Sequence, residues 1–325
     1  MSFATDQNEK AKWDSYYVQQ TLDPDDPEIE SFYGELADAM LAFLPEGGNV
    51  LEAGCGSGKH SLALARKGGC RVSLMDFSAE AIAYARKVFA AANAQADYEV
   101  GDVLAARGNA DHDLVFNSGV LEHYEFERQV AFFKAMACQS RRYVFVLVPN
   151  RECYWYWVWR IRSAVAGAWP FGYEKPATNY RAAIEAAGLH YLGKAYFGAG
   201  AVKRFLMALE GLSPDLRRLI GEIHDRKVVS AAQRSYLVGF LAAVVPGHET
   251  PAGFTLGEDD DMYLDSDRVD RYIALVGDSL ANQIAAEHRL AVLEAQNRNL
   301  TASLERRGPR KFAALVQAIG RVFRR

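Results

Sequence analysis

The sequence predicts an α/β fold in which a mostly parallel sheet carries helices on both faces. Between residues 49 and 149, short apolar segments that end in polar or glycine residues alternate with stretches of helical spacing. Strands that alternate with helices of about 10–15 residues form parallel sheets. Half of the 325 residues are hydrophobic and the net charge is −4, so the chain can bury a full core and extensive disorder is excluded.

Residues 1–46 precede the sheet and are predicted to be helical. The segment is acidic, and its aromatic residues include Trp13, Tyr16 and Tyr17. It has no apolar stretch of the kind that a signal peptide needs, so we expect a cytoplasmic protein.

The alternating region supplies five strands and three helices in order. Short apolar segments predict strands at Asn49–Ala53, Arg71–Met75, Tyr98–Val100, Asp113–Asn117 and Tyr143–Val148, and the last of these is strongly β-branched. Helical spacing predicts helices at Lys59–Lys67, Ala79–Ala92 and Phe126–Cys138. Ser78 is the expected N-cap of the second of these helices.

After Pro149 the alternation is interrupted by residues 151–170, which are rich in tryptophan and tyrosine. These rings either form a wall of the substrate site or belong to a helix that buries them on the sheet. The remaining predicted elements are a helix at Thr178–Ala187, a strand at Tyr191–Phe197, a helical insertion at 201–234 and a buried strand at Tyr236–Val245. The globular domain is therefore expected to span residues 47–246.

The C-terminal quarter changes character. Residues 247–267 are acidic and rich in turn residues, which predicts a linker. Apolar positions across 268–305 follow heptad-like spacing, and Asn297 takes one interior position, which favours a coiled coil that forms a homodimer. An amphipathic helix packed on the domain is the alternative. Residues 306–325 carry seven Lys or Arg and no acid, with an apolar face, so this basic tail suits an anionic membrane surface or an acidic partner.

Composition also limits the function classes. The four cysteines show no CxxC pair and no histidine at ligand spacing, so we expect neither a metal site nor a disulfide framework. No stretch of 18 apolar residues is present, so any membrane contact is expected to be peripheral. Without the tail the chain carries −11, which disfavours a nucleic-acid partner for the body.

A glycine-rich loop follows the first predicted strand, at Gly54, Gly56 and Gly58. Glycines at a strand-to-helix turn let the backbone approach a ligand closely. The dinucleotide fingerprint G-x-G-x-x-G requires glycine at position 59, which is Lys59. The phosphate-binding loop G-x-x-x-x-G-K-[ST] requires glycine at 53 and Ser or Thr at 60, where the chain has Ala53 and His60.

The acid Glu52 followed by G-x-G-x-G resembles the first motif of the class I S-adenosylmethionine (SAM)-dependent methyltransferases. The resemblance covers roughly residues 45–150, continues more weakly to 246, and implies a Rossmann-like, seven-stranded, mostly parallel sheet with SAM as cofactor. It places Asp76 on the ribose hydroxyls, Asp102 near the adenine amino group and the segment from Asn117 to His123 beside the methionine end. Residues 1–46 would form a lid. The expected cofactor-binding residues are Glu52, Gly54, Cys55, Gly56, Gly58, Asp76, Phe77, Asp102, Val103 and Asn117.

The chemistry of the cofactor agrees with this assignment. Two ribose hydroxyls suit an ionised carboxylate such as Asp76, and the adenine amino donor suits Asp102. The sulfonium cation favours an anionic neighbour such as Glu52, and Phe77 can lie against the adenine. Each acid also has a simpler explanation: Asp76 as a helix N-terminal acid and Asp102 as the centre of a turn made by its own side chain.

His123 is the candidate catalytic residue. It titrates near neutral pH and follows the fourth strand, so it can take a proton from the methyl acceptor. The alternative is local packing of His123, with alignment of the acceptor alone supporting the reaction.

We expect a SAM-dependent methyltransferase that acts on an oxygen of a glycan or a lipid-linked acceptor. The acceptor class rests on analogy, because the order of methyltransferase domain, coiled coil and basic end resembles bacterial polysaccharide-modifying methyltransferases. A small-molecule or quinone-type methyltransferase is the second interpretation. A non-catalytic scaffold that works through the coiled coil is the third.

Overall fold

The structure is a computed structural model. It describes residues 7–23, 26–105, 108–165, 167, 169, 171, 174, 179–202, 214, 218, 221, 222, 225, 230–256, 289–299 and 302. The chain divides into two compact units, one made of Met1–Arg160 with Ala168–Leu264 and the other of Ile161–Gly167 with Asp265–Arg325.

A seven-stranded sheet forms the centre of the first unit, with strand order β3-β2-β1-β4-β5-β7-β6. The strands are β1 Asn49–Ala53, β2 Arg71–Asp76, β3 Asp97–Val100, β4 His112–Ser118, β5 Ser140–Pro149, β6 His190–Phe197 and β7 Leu237–Ala243. The pairs among β1 to β5 are parallel, whereas β7 runs antiparallel to both β5 and β6. The predicted seven-stranded, mostly parallel α/β sheet is therefore confirmed.

Helices precede the sheet and fill its connections. They are α1 Gln7–Val18, α2 Phe32–Leu41, α3 Lys59–Gly68, α4 Ala79–Ala91, α5 Phe126–Gln139, α6 Tyr154–Val165, α7 Arg181–Ala186 and α8 Ala231–Arg234, with short 3-10 turns at Val103–Ala105 and Leu121–His123. Ser78 caps α4 as predicted, since its Oγ accepts a hydrogen bond from the Ala81 N–H at 3.1 Å.

Helix α7 begins later than the sequence predicted. The expected range was Thr178–Ala187, but the helix starts at Arg181. The side chain of Asn179 accepts a hydrogen bond from the Arg181 N–H at 2.8 Å, and this turn takes the place of a first helical turn. Thr178 lies outside the described residues.

The core lies on both faces of the sheet. Along β5, Phe145 and Leu147 face a cluster with side chains of α2, α3 and α4, while Val144 and Val146 face a second cluster with side chains of α5 and α7. This alternation is the period of two expected for a strand that is covered on both faces. The carboxyl ends of the parallel strands consequently open at one edge of a rigid platform.

Several predicted C-terminal features lie mainly outside the described residues. Of the predicted coiled coil at 268–305, residues 289–299 are helical and exposed, with Leu290 58% and Leu293 60% accessible. The basic tail at 306–325, most of the insertion at 201–234 and the linker beyond residue 256 are not described. None of the described helices combines the length and apolar character that crossing a membrane requires.

Candidate functional site

An open cavity lies where the carboxyl ends of β1, β2 and β4 meet the glycine loop. Nine of the predicted site residues line it, namely Glu52, Gly54, Cys55, Gly56, Asp76, Phe77, Asp102, Val103 and His123. The predicted residues Gly58 and Asn117 are not among the lining residues. Ligand sites in open α/β sheets occupy this edge, so the cavity is the candidate active site.

The glycine loop depends on backbone conformations that favour glycine. Gly54, Gly56 and Gly58 have φ angles of 75°, 51° and 68°, in the left-handed region that side chains with a Cβ rarely adopt. The N–H groups of Gly54 and Cys55 both donate to the Met75 carbonyl, at 2.8 and 3.0 Å. The loop is therefore tied to the end of β2, and its backbone is held against the cavity.

Gly58 is not among the cavity-lining residues and instead allows close packing of α3. It is the residue before α3, and a Cβ built on it would lie 3.0 Å from a Leu74 methyl group and 3.2 Å from the Phe89 ring. The absence of a side chain lets α3 begin directly against β2 and α4. Gly58 therefore has a role in close packing, and its expected role as a cofactor contact stays a prediction.

Asp76 stands at the cavity end of β2 with its carboxylate fixed by two backbone groups. One oxygen accepts from the Gly56 N–H at 2.9 Å and the other from the Ser78 N–H at 2.9 Å. Burial raises the pKa of this carboxyl to about 6, and the two hydrogen bonds oppose the rise. A carboxylate has about four lone-pair sites, so acceptor capacity remains for ribose hydroxyls.

Glu52 is 2% exposed in the floor of the cavity. One oxygen accepts from the Ser61 N–H at 3.2 Å and from the Ser61 hydroxyl at 2.6 Å. Burial raises the pKa of Glu52 to about 8 despite these bonds. A cationic ligand in the cavity would favour its ionised form.

Asp102 lines the cavity and also shapes its own loop. Its Oδ1 accepts from the Leu104 N–H at 2.9 Å, which is the turn that the sequence offered as the simpler explanation. The carboxylate thus both organises the turn after β3 and faces the cavity beside Val103.

Asn117 ends β4 but is fully buried beneath the cavity. Its Nδ2 donates to the Ala53 carbonyl at 3.3 Å, which joins the ends of β4 and β1. Its Oδ1 is buried with no hydrogen-bond partner among the described residues. The structure therefore gives Asn117 a place in the support of the glycine loop and not in the cavity lining.

Helix α1 lies beside the cavity, and the lid role of residues 1–46 stays a prediction. Trp13 and Tyr17 line the cavity, and a Cβ at Gly56 would overlap the Tyr17 hydroxyl. Two contacts hold the helix in place: the Ser78 hydroxyl donates to Asp14 at 2.5 Å, and Arg128 pairs with Glu9 at 3.5 Å.

Ser118, Gly119 and Val120 also line the cavity, and they belong to the segment that the sequence analysis placed beside the methionine end. The lining residues that were not predicted from the sequence are Glu9, Tyr33, Ser57, His60, Tyr124 and Phe132. Of these, His60 is half-buried, and burial lowers its pKa to about 3, so the imidazole is neutral. The Tyr33 ring lies edge-on to it, 4.7 Å between ring centres. His60 directly follows the glycine motif and could have been proposed from it. Tyr33 lies in α2, far from the motif in sequence, and no sequence pattern pointed to it.

His123 closes the end of the cavity that lies beyond the β4 strand. It is half-buried in the 3-10 turn Leu121–His123, and its ring lies 6.2 Å from the Trp13 ring in an edge-on arrangement. The adjacent Glu122 is buried and stands near Glu174. The structure therefore brings the predicted catalytic residue to the cavity and adds two carboxylates that the sequence did not single out.

The aromatic segment 151–170 forms α6, and its described rings do not line the cavity. Tyr156 is fully buried and donates to a Glu174 oxygen at 2.5 Å. Trp157 donates from its indole nitrogen to the Arg151 carbonyl at 2.7 Å, and the Trp159 and Trp169 rings pack 5.1 Å apart. Of the two interpretations offered by the sequence, the described rings fit the buried helix.

Comparisons with known proteins agree with this geometry. Residues 50–140 match a family model described as a methyltransferase domain. The geranyl diphosphate C-methyltransferase of Streptomyces coelicolor A3(2), solved with S-adenosyl-L-homocysteine, has 13% identity and a TM-score of 0.50 over 74% of this chain and all of that one. The magnesium protoporphyrin IX methyltransferase of Synechocystis PCC 6803 has 18% identity and a TM-score of 0.44 over 73% of this chain and 94% of that one.

No curated protein matches the sequence. The matched segment runs from β1 to the start of β5 and contains the glycine loop, Asp76 and Asp102. At this level of identity the solved structures bear on the fold, and the family model bears on the class of enzyme. The match over residues 50–140 and the shared fold therefore support an enzyme with a methyltransferase domain in that part of the chain.

Proposed function

We propose that the enzyme transfers a methyl group from SAM, bound in the cavity at the ends of β1, β2 and β4. One observation carries the proposal: Glu52, Gly54, Gly56, Asp76 and Asp102 line one cavity, where carboxylates can accept hydrogen bonds from ribose hydroxyls and an adenine amino group. Lys59 supports SAM over a nucleoside phosphate. Its ammonium pairs with Asp26 at 2.5 Å and so does not serve the loop as a phosphate ligand.

Within this proposal His123 is the catalytic residue at the acceptor end. The acceptor oxygen attacks the methyl carbon as the carbon–sulfur bond breaks, and sulfur keeps the bonding pair to leave as a neutral thioether. The proton of the acceptor hydroxyl passes to the His123 imidazole, which lies on the cavity wall. Alignment by the lid residues Trp13 and Tyr17 supplies the remaining rate enhancement.

The proposed acceptor is an oxygen of a glycan or of a lipid-linked molecule. Its support comes from the chain beyond the domain, where the acidic segment leads to the predicted coiled coil at 268–305 and the basic tail at 306–325. The exposed Leu290 and Leu293 suit a homodimer through this helix. Seven basic residues would then place a cytoplasmic enzyme at an anionic membrane face, at about 1 kcal/mol per charge.

Calorimetry with SAM and with S-adenosylhomocysteine tests the cofactor. We expect one site per chain for each ligand. If neither ligand binds, the cofactor assignment is refuted and the scaffold interpretation is favoured.

A transfer assay with labelled SAM against lipid, glycan and protein fractions tests the acceptor. Label in small polar metabolites or quinones alone would instead favour the small-molecule interpretation.

Replacement of His123 by Asn tests the catalytic residue. We expect kcat to fall by about 100-fold or more, with the Kd of SAM close to that of the wild type, since proton transfer contributes about 10²–10⁴ in rate. Unchanged methylation by the Asn variant would mean that alignment of the acceptor alone supports the reaction.

Flotation with anionic liposomes, with and without residues 306–325, tests the basic tail. Equal recovery of the two proteins with the liposomes would remove the membrane proposal.

A further inference from the structure

Three side chains of the metal-ligand type meet next to the acceptor end of the cavity. Glu122, His123 and Glu174 each offer one ligand atom, and these atoms all lie within 4.8 Å of one another. Glu122 is 2% exposed and Glu174 is 6% exposed. His123 is half-buried and lines the cavity, so it stands between the cluster and the space for the acceptor.

The two carboxylates are poorly compensated by the protein around them. Glu174 accepts the Tyr156 hydroxyl at 2.5 Å and lies 3.4 Å from the Arg160 guanidinium. The Glu122 Oε2 is buried and has no hydrogen-bond partner among the residues that the structure describes. A buried carboxylate oxygen without a donor is costly and points to a missing positive partner.

Arg160 only partly supplies that partner. Its guanidinium lies over the rings of Trp157 and Trp169, at 4.8 and 5.4 Å from their centres, and it donates to the Glu174 carbonyl at 3.2 Å. Arg160 makes its closest carboxylate contact with Glu174, and the charge of Lys12 also acts on Glu174. Neither cation gives the Glu122 Oε2 a hydrogen bond among the described residues.

We propose that Glu122, His123 and Glu174 bind one divalent transition-metal ion at the acceptor end of the cavity. Carboxylate oxygens and an imidazole nitrogen are the donors that Mn²⁺, Fe²⁺ and Zn²⁺ accept. Atoms that share an ion at about 2.0–2.2 Å lie about 3–4.4 Å apart, so a cluster whose atoms lie within 4.8 Å of one another needs at most a small side-chain adjustment to hold one. Because Glu122 does not line the cavity, a compact ion reaches it more easily than the ammonium group of a substrate.

This inference rests on the proposed function for its consequence. Three protein ligands leave coordination positions for an oxygen of the acceptor, and a bound cation lowers the pKa of a hydroxyl. In that arrangement His123 would hold the ion in place of the base role proposed above, and the acceptor proton would have to leave to solvent. Metal dependence of the methyl transfer therefore separates the ligand role of His123 from its role as base.

Metal binding by the full chain tests the proposal without any assay of activity. Protein freed of metal with a chelator would be titrated with Mn²⁺, with free Mn²⁺ followed by electron paramagnetic resonance and stability by thermal melting. We expect one Mn²⁺ per chain and a higher Tm. Glu122→Gln and Glu174→Gln should each weaken Mn²⁺ binding by more than about 10-fold. Glu185→Gln, on the exposed ion pair with Arg181, should bind as the wild type does.

The outcomes are distinguishable from failure of the cofactor assignment, since SAM binding is measured on the same metal-free protein. A wild type that binds no Mn²⁺ and whose Tm does not change would overturn the metal site, and the carboxylates would then share a proton. A Mn²⁺ affinity in both Gln variants that equals the wild-type affinity would also overturn it. Without metal, Glu122→Gln should melt no lower than the wild type because the amide removes a buried charge.

Discussion

The Gly56 N–H donates to the Asp76 carboxylate at 2.9 Å, so the acid at the end of β2 and the middle of the glycine loop form one unit. The opposite oxygen of Asp76 is held by the Ser78 N–H at the start of α4. These two bonds fix the carboxylate before any ligand binds. A ribose therefore meets an acceptor that has already lost its freedom to rotate, which reduces the entropic cost of binding.

Replacement of Asp76 by Asn should weaken SAM binding. The amide removes the negative charge and places an NH₂ group against either the Gly56 or the Ser78 N–H. Hydrogen bonds to a charged group contribute about 1.5–3 kcal/mol, so the Kd should rise by about 10- to 100-fold. Calorimetry measures it, with Asp97→Asn at the exposed start of β3 as the control. An unchanged Kd in Asp76→Asn would remove Asp76 from the cofactor site.

The affinity for SAM should also depend on pH through Asp76. Burial raises the pKa of this carboxyl to about 6, and ribose hydroxyls donate preferentially to the ionised form. Binding therefore favours loss of the proton, and the Kd should fall as pH rises through about 6 and then level off. Titrations between about pH 5 and pH 8 measure this effect. Asp76→Asn should flatten the acidic part of the curve, and a wild-type Kd that is constant across it would contradict the assignment.

The contact between the lid and the loop predicts a specific pair of variants. Gly56→Ala places a Cβ onto the Tyr17 hydroxyl and forces alanine into a φ of 51°. We expect weaker SAM binding and a lower Tm, with about 1–2 kcal/mol arising from the backbone alone. Tyr17→Ala in the same chain should recover the part due to the overlap.

The matched control for this pair is Gly47→Ala. Gly47 has a φ of 64°, but nothing lies within 4 Å of a Cβ built there. It should therefore lose stability through backbone strain alone, and its affinity for SAM should match the wild type. If Gly56→Ala and Gly47→Ala behave alike in both measurements, then α1 does not lie on the loop in solution.

Glu52 predicts a pH dependence of stability in the protein without ligand. Its folded-state pKa of about 8 exceeds the ordinary value of 4.5, so between these values the folded state binds more protons than the unfolded state. The free energy of unfolding therefore falls as pH rises, by at most about 1.4 kcal/mol per pH unit from this group. Glu52→Gln removes that dependence, so its stability relative to the wild type should increase from about pH 5 to about pH 8.

Urea unfolding at several pH values measures the effect, with the exposed Glu46→Gln as the control. A stability difference between Glu52→Gln and the wild type that does not change with pH would mean that Glu52 titrates normally. Addition of SAM should reduce the difference at high pH, because a sulfonium near Glu52 favours the ionised carboxylate.

The sheet and much of the site could be predicted because the pattern is local. Apolar runs that end at Ala53, Asp76 and Ser118 mark the strand ends, and the chain turns directly afterwards into glycine or polar residues. What the sequence could not provide is the meeting of distant segments. Tyr33 reaches the cavity from α2, and Glu174 approaches Glu122 from a region without regular spacing. Such contacts depend on how the layers pack, and no short motif records them.

Two residues of the predicted cofactor site show a different limit. Gly58 and Asn117 belong to the motifs that line the cavity, but both lie beneath it, where Gly58 packs closely on its neighbours and Asn117 is fully buried. A glycine that is needed for close packing cannot be distinguished in the sequence motif from a glycine that is needed for the approach of a ligand. Likewise, an amide that joins two strand ends cannot be told from one that binds a ligand until its partners are known. For Gly58 the role becomes visible in the packing of α3 on the sheet. For Asn117 it becomes visible in the hydrogen bond to the Ala53 carbonyl.

Gly58→Ala should consequently lower stability and leave the cofactor contacts intact. The new Cβ would crowd Leu74 and Phe89 at 3.0 and 3.2 Å, and alanine would occupy a φ of 68°. Overpacking and the left-handed backbone together should cost about 2–4 kcal/mol. The Kd of SAM, measured below the melting transition, should stay close to the wild-type value.

Gly69→Ala is the matched control, because its φ is 58° and nothing lies within 4 Å of a Cβ built there. A loss of stability in Gly58→Ala no larger than in Gly69→Ala would show that α3 has room to shift, and a large loss of affinity without a loss of stability would return Gly58 to the cofactor site.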